Sequence, residues 1–180
     1  MNTIETILPG VLIIEPKVFG DSRGFFFESY QQQRYRDVGI TLDFVQDNHS
    51  RSARGVLRGL HFQIKKPQGK LVRASRGEVL DVVADVNPKS ATFGKHVAVV
   101  LSEDNHRQLW VPPGYAHGFV TLSETADFQY KCTDYYDPSD EGGIIWNDPT
   151  LNIDWRAATP SLSAKDQLLP TLAAHADSLQ

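Results

Sequence analysis

Alternation with a period of two dominates the chain. Between Gly77 and the turn pair Asn87-Pro88, Leu80, Val82, Ala84 and Val86 alternate with Val79, Asp81, Val83 and Asp85. That pattern predicts a strand with one apolar and one mixed face. Residues 70–74, 95–101, 108–111, 118–122 and 127–134 read as further strands, and 58–63 lies in a run of the same kind. Gly and Pro punctuate the chain at short, fairly even spacing, which argues for a sandwich or barrel over alternating βαβ units. Helical period is confined to two places. Residues 29–38 carry Tyr30, Arg34 and Val38 at four-residue spacing and stop at Gly39. Residues 163–169 offer Ser163 as N-cap, Asp166 in the first turn and Pro170 as terminator. The last ten residues, 171–180, are rich in Ala, Asp and Ser and are expected to fray. Residues 1–180 thus read as one all-β domain with a short helical appendix.

Composition narrows the partners. A net charge of −4 arises from 18 basic and 22 acidic residues mixed along the sequence, with no Lys/Arg block for nucleic acid or an anionic membrane. Basic residues do gather in the first half, enough for a phosphate-bearing small molecule. One cysteine, Cys132, permits neither an intrachain disulfide nor a thiolate cluster. The apolar run Val11 to Ile14 is too short for a signal-peptide core or a membrane span. A soluble, cytoplasmic protein is expected.

Arg58-Gly59-Leu60-His61-Phe62-Gln63, followed by Lys70, sets a neutral-pH base between two cations. Removing a proton beside a carbonyl needs that combination: a base, and fixed positive charge for the oxygen that becomes an enolate. A partly buried histidine beside solvated cations would use the same residues. Val111 to Phe119, with two prolines, Gly114 and Gly118, is a stiff turn leading into a strand around His117, or a hairpin with an incidental histidine. Jelly-roll metal sites use a His-x-His pair, and Gln63 stands where the second histidine would be. His49, His96 and His106 lack ligand spacing, so no metal is expected. In Asp21 to Ser29, an extended segment points Phe25 and Phe27 one way and Phe26 and Glu28 the other. One face can enter the core while the other offers a ring and an acceptor. With the amides of Gln46 and Asn48 this suits a nucleobase, and Arg23 suits a phosphate; ordinary strand packing is the alternative. Tyr130 is either a core residue with a hydrogen-bonded tip or a proton donor. Asp166 either stabilises a helix start or orients and polarises His61.

Taken together, these segments resemble the dTDP-4-dehydrorhamnose 3,5-epimerase family. The resemblance rests on Arg23 to Glu28, Gln46 to Ser50, Arg58 to Gln63, Gln68-Gly69-Lys70, Pro112 to Phe119, Tyr130, Tyr135-Tyr136, Glu141-Gly142-Gly143, Trp146 to Pro149 and Lys165-Asp166. The loop 64–67 departs from it, and the tail after Pro170 carries none of it. It implies a cupin-type jelly roll, a homodimer with exchanged strands, and no metal or organic cofactor. It implies conversion of dTDP-4-dehydro-6-deoxy-D-glucose to dTDP-4-dehydro-L-rhamnose. In the matched motifs His61 is the base, Asp166 its partner and Tyr130 the acid, with Lys70 and Arg58 near the C4 oxygen. Arg23, Phe26, Glu28, Gln46, Asn48, His117, Tyr136, Glu141 and Lys165 fall at substrate-binding positions. An epimerase acting at C3 or C5 alone, on another nucleotide-linked 4-keto sugar, would use the same dyad. A jelly-roll sugar-binding module would need no pairing of His61 with Asp166, and a metal-dependent dioxygenase is disfavoured by the missing His-x-His.

Overall fold

Apolar side chains on both faces of the central strands force a layered molecule. The computed structural model describes residues 1–178, so the expectation for 179–180 lies outside the described residues. The first part supplies β1 (Asn2–Glu5), β2 (Leu12–Glu15), β3 (Phe19–Asp21), β4 (Gly24–Phe26), α1 (Gln32–Asp37) and β5 (Gln46–Ala53). Then come β6 (Leu57–Gln63), β7 (Lys70–Arg76), β8 (Glu78–Ala84), β9 (His96–Ser102) and β10 (Gln108–Val111). β11 (Ala116–Thr121), β12 (Thr125–Cys132), β13 (Glu141–Gly143), a 3-10 turn at Asp166–Leu168 and α2 (Leu172–Asp177) follow.

The strands pair antiparallel in a six-stranded sheet, β1-β2-β10-β7-β12-β5, and a five-stranded sheet, β13-β6-β11-β8-β9, with β3-β4 a separate hairpin. The result is an open, jelly-roll-type sandwich. Its inner layer packs Val72, Val83, Leu101, Leu109, Phe119 and Phe128 from both sheets. The mixed face of β8 turns inward here, and Asp81 on it is fully buried. Leu80, Val82 and Ala84 pack outward with Leu57, Leu60 and Phe62 beneath Ile144, Leu151, Trp155 and Leu172 of the C-terminal segment. On the outer face of the six-stranded sheet, Ile14, Leu71 and Trp110 are covered by Tyr35 and Ile40. Burying apolar area on this scale is the main stabilising term, at about 25 cal/mol per Å². No helix of the described residues is long and apolar enough to cross a membrane.

Three expectations are corrected. The helix expected over 29–38 is only Gln32–Asp37, because the Gln31 side chain accepts from the Arg34 amide and starts it. The Ser29 carbonyl is instead taken by the Tyr35 hydroxyl and the Gln108 amide. The helix expected over 163–169 shrinks to the 3-10 turn Asp166–Leu168; Ser163 Oγ does accept the Asp166 N–H, but Leu169 is extended ahead of Pro170. The tail expected to fray forms α2 over Leu172–Asp177, capped by Thr171. Asp148 explains this: its carboxylate accepts the Thr150 and Leu151 amides and, at 2.8 Å, the Leu172 amide, which pins Leu172 into the core.

Candidate active site

Between the sheets lies a cavity of about 570 Å³, lined by β5, β6, β7, β11 and β12 and by the 161–166 segment. Its shape begins with a bulge. His117 pairs with His61, yet Phe119 pairs with Arg58, so β6 carries one residue more than β11 between these points. Gly59 absorbs the extra residue at φ +120, and a Cβ there would sit 2.6 Å from Gly118 Cα. The slip turns Arg58 to the same side as His61 while Leu57 and Leu60 pack outward, the re-aiming that bulges provide.

His61 Nε2–H donates to Asp166 Oδ1 at 2.7 Å, and Asp166 is itself buried. This leaves Nδ1 toward the cavity, 3.8 Å from Glu141 Oε1. Burial pushes the Asp166 carboxyl up, but the bond and charge of His61, the Ser163 hydroxyl and the Gly59 amide hold it below the ordinary carboxylate range. Glu141 is likewise depressed, burial being outweighed by Lys165 and by the Tyr136 hydroxyl, which donates at 2.6 Å. The same bond, with burial, pushes Tyr136 up to about 12. Opposite His61, His117 Nε2–H donates to both Asp81 oxygens at 2.9 Å.

The facing sheet presents a different set. Tyr130 sits opposite Asn48 across β12–β5, while Cys132 sits opposite Gln46 on one side and Lys70 on the other. All five line the cavity. Burial raises the Tyr130 phenol and lowers the Lys70 ammonium. Cys132, Glu141 and Asp81 act on Lys70 only through space, Glu141 being ion-paired with Lys165 and Asp81 hydrogen-bonded to His117. The cavity therefore has a carboxylate-oriented histidine on one wall and, on the other, a protonated phenol and a lysine with no ion-pair partner among the described residues. Such an arrangement can take a proton from one face of a ring and return one to the other. Among the described residues no three His, Cys, Asp or Glu side chains gather as metal ligands.

Of the residues singled out from sequence, Gln46, Asn48, Arg58, His61, Lys70, His117, Tyr130, Tyr136, Glu141, Lys165 and Asp166 line this one cavity. Arg23, Phe26 and Glu28 do not. Arg23 pairs with Asp21 at the tip of the β3–β4 hairpin, Phe26 is 69% exposed, and Glu28 pairs with Arg34. Phe25 and Phe27 do share a side, stacking together against His106, but Phe25 stays exposed rather than entering the core. Sequence reasoning missed Gln63 and Cys132 as cavity groups, and Asp81 as the buried partner of His117. Asp81 had a signal: a lone carboxylate amid valines on a central strand.

A jelly-roll sandwich with candidate acid and base groups facing each other between its sheets suits a proton-transferring isomerase, and the comparisons say which. The family model for dTDP-4-dehydrorhamnose 3,5-epimerase matches residues 5–174. The enzyme of that name from Salmonella typhimurium is 58% identical over 96% of both chains, and that from Escherichia coli 54% over 96% of this chain and 95% of its own. A 3,5-epimerase structure from Legionella pneumophila, solved in complex with dTDP-4-keto-L-rhamnose, superposes with TM-score 0.93 at 53% identity, covering 96% of this chain and 93% of that one. A 3′-monoepimerase from Streptomyces bikiniensis, in complex with dTDP-quinovose, superposes with TM-score 0.90 at 32% identity, covering 97% and 89%. This chain belongs to the dTDP-4-dehydrorhamnose 3,5-epimerase family.

Proposed function

We propose that this protein inverts C3 and C5 of dTDP-4-dehydro-6-deoxy-D-glucose to give dTDP-4-dehydro-L-rhamnose, a step toward L-rhamnose. The C4 ketone acidifies both neighbouring C–H bonds. His61, polarised by Asp166, removes the proton from one face. Lys70 and Arg58 stabilise the enolate oxygen, a kind of contribution worth roughly 3–4 kcal/mol per donor in well-measured oxyanion holes. Tyr130 returns a proton from the other face. The observation that carries this reading is the division of groups between the walls: His61–Asp166 on one, Tyr130 and Lys70 on the other. Substrate and product are isomers, so no redox cofactor is called for.

Gln46, Asn48, His117, Tyr136, Glu141 and Lys165 would hold the nucleotide-linked sugar. Arg23, Phe26 and Glu28 would do so from a second copy of the chain, in a homodimer with exchanged strands whose hairpin closes the neighbour's cavity. A cytoplasmic setting fits this substrate, and nucleic acid and membrane are not partners in this reading. Inversion at C3 or C5 alone is the second reading, favoured by the fold shared with the 3′-monoepimerase.

Proton NMR of the substrate with the enzyme in D2O tests the proposal. Exchange at both C3 and C5, with dTDP-L-rhamnose formed after coupling to a 4-reductase, is the expected result. Exchange at one carbon moves the assignment to a single-position epimerase. No exchange, with dTDP still bound, leaves a binding module. His61→Ala should abolish turnover while leaving dTDP affinity nearly intact; an equal loss of both would remove His61 from the base role.

A further inference from the structure

Gln63 stands two residues beyond His61 on β6, so strand alternation turns both to the cavity, and it is 5% exposed. In a metal-binding jelly roll this position would carry the second histidine of a His-x-His pair. Here its amide is committed to backbone. Nε2 donates to the Lys66 carbonyl at 2.7 Å and, more weakly, to the Tyr135 carbonyl at 3.4 Å. Oε1 accepts the Asp137 amide at 2.9 Å. One side chain thus ties the loop after β6 to the loop between β12 and β13.

Neighbouring bonds close the same seam. Gln68 Nε2 donates to the Asp134 carbonyl at 2.7 Å, and the Tyr136 amide donates to Gln46 Oε1 at 3.1 Å. The Asp140 carboxylate accepts the Lys65 and Lys66 amides. The segment held this way delivers Tyr136, whose hydroxyl binds Glu141 beside His61. Tyr136 is half exposed and packs little of its own, so its placement depends on the backbone bonds beneath it.

We propose that Gln63 is a positioning residue: it clamps the 133–140 loop so that Tyr136 and Glu141 are preset for the nucleotide-linked sugar. The proposal rests on the substrate reading above for the identity of that ligand. Preorganisation of this kind acts on affinity, because a loosened loop must be ordered at each binding event.

Gln63→Met removes both halves of the clamp at similar length, and Gln63→Glu keeps the acceptor for Asp137 while losing the donor. For Gln63→Met, the dTDP Kd and the KM should rise together by about tenfold, the loss expected from one to two net hydrogen bonds. kcat should change far less, and amide exchange at Asp137 should accelerate. Gln63→Glu sets a buried carboxylate against the Lys66 carbonyl, so its Kd, KM and Asp137 exchange should move at least as far as those of Gln63→Met. A lowered Tm with unchanged Kd and KM would reduce Gln63 to a purely structural role and overturn the proposal, as would a fall in kcat with binding intact. If Gln63→Met does not fold, Gln63→Glu is judged by the same criteria. Amide exchange and dTDP binding do not depend on which group moves the proton, so failure of the His61 test would leave these readouts legible.

Discussion

A lysine ammonium half-buried on the inner face of a sheet, with Glu141 paired to Lys165 and Asp81 hydrogen-bonded to His117, costs folding free energy. Lys70 is retained there against that cost, as expected of a group whose charge is wanted in the reaction. Lys70→Met should therefore abolish turnover and raise Tm, each 1 kcal/mol gained being worth about 2–4 °C at this chain length. An unchanged or lower Tm would mean that the ammonium is better solvated than its surroundings imply. The pH dependence follows from the same burial. Folding lowers the Lys70 pKa below its unfolded value of about 10.4, so stability rises as pH climbs through that window while the positive charge is lost. Tyr130 moves the opposite way and keeps its proton. The alkaline limb of kcat should thus belong to Lys70, and Lys70→Arg, even at a reduced rate, should carry that limb to higher pH. A limb that stays in place would point to another group.

At the scale of elements, the bulge in β6 is what brings Arg58 and His61 to one side. Gly59→Ala would force a side chain onto φ +120 and into the backbone of β11, so about 1–3 kcal/mol of stability should go, and activity with it. Leu172→Ala should cost about 2–5 kcal/mol by opening a cavity under α2, which denaturant titration would read out. The strands legible in the sequence were β6 to β12, each lying within a residue or two of where the pattern put it. β5 was not legible. Its sequence, Gln46 to Ala53, is polar almost throughout, because one face lines the cavity with Gln46, Asn48 and Ser50 and the other meets solvent. It is a strand through its full register with β12. α2 escaped because one buried leucine and one carboxylate from elsewhere hold it, and neither leaves a local period. The candidate site was named through the resemblance of its short motifs, and the cavity gathers most of those residues. Gln63 was hidden because its role lies in what it holds.

For the whole molecule, the β3–β4 hairpin sets the sharpest test. If its residues complete a neighbour's cavity, a chain carrying His61→Ala and a chain carrying Arg23→Ala with Glu28→Ala, each impaired alone, should regain activity when refolded together. One of the two sites in the mixed dimer would then be intact. No recovery, with mixed dimers demonstrated, would confine the hairpin to its own chain. A different consequence follows from the way the groups are shared out. The proposed base and acid, His61 and Tyr130, stand on different sheets, so the spacing between the sheets, about 10 Å in packed sandwiches, would work as a caliper on the sugar ring of the proposed substrate. Phe119 and Phe128, stacked at 4.1 Å where the inner layer meets the cavity, set the opening of its jaws. Trimming either ring to leucine would change the gauge, and the ratio of exchange at the two ring carbons would register it before the fold did.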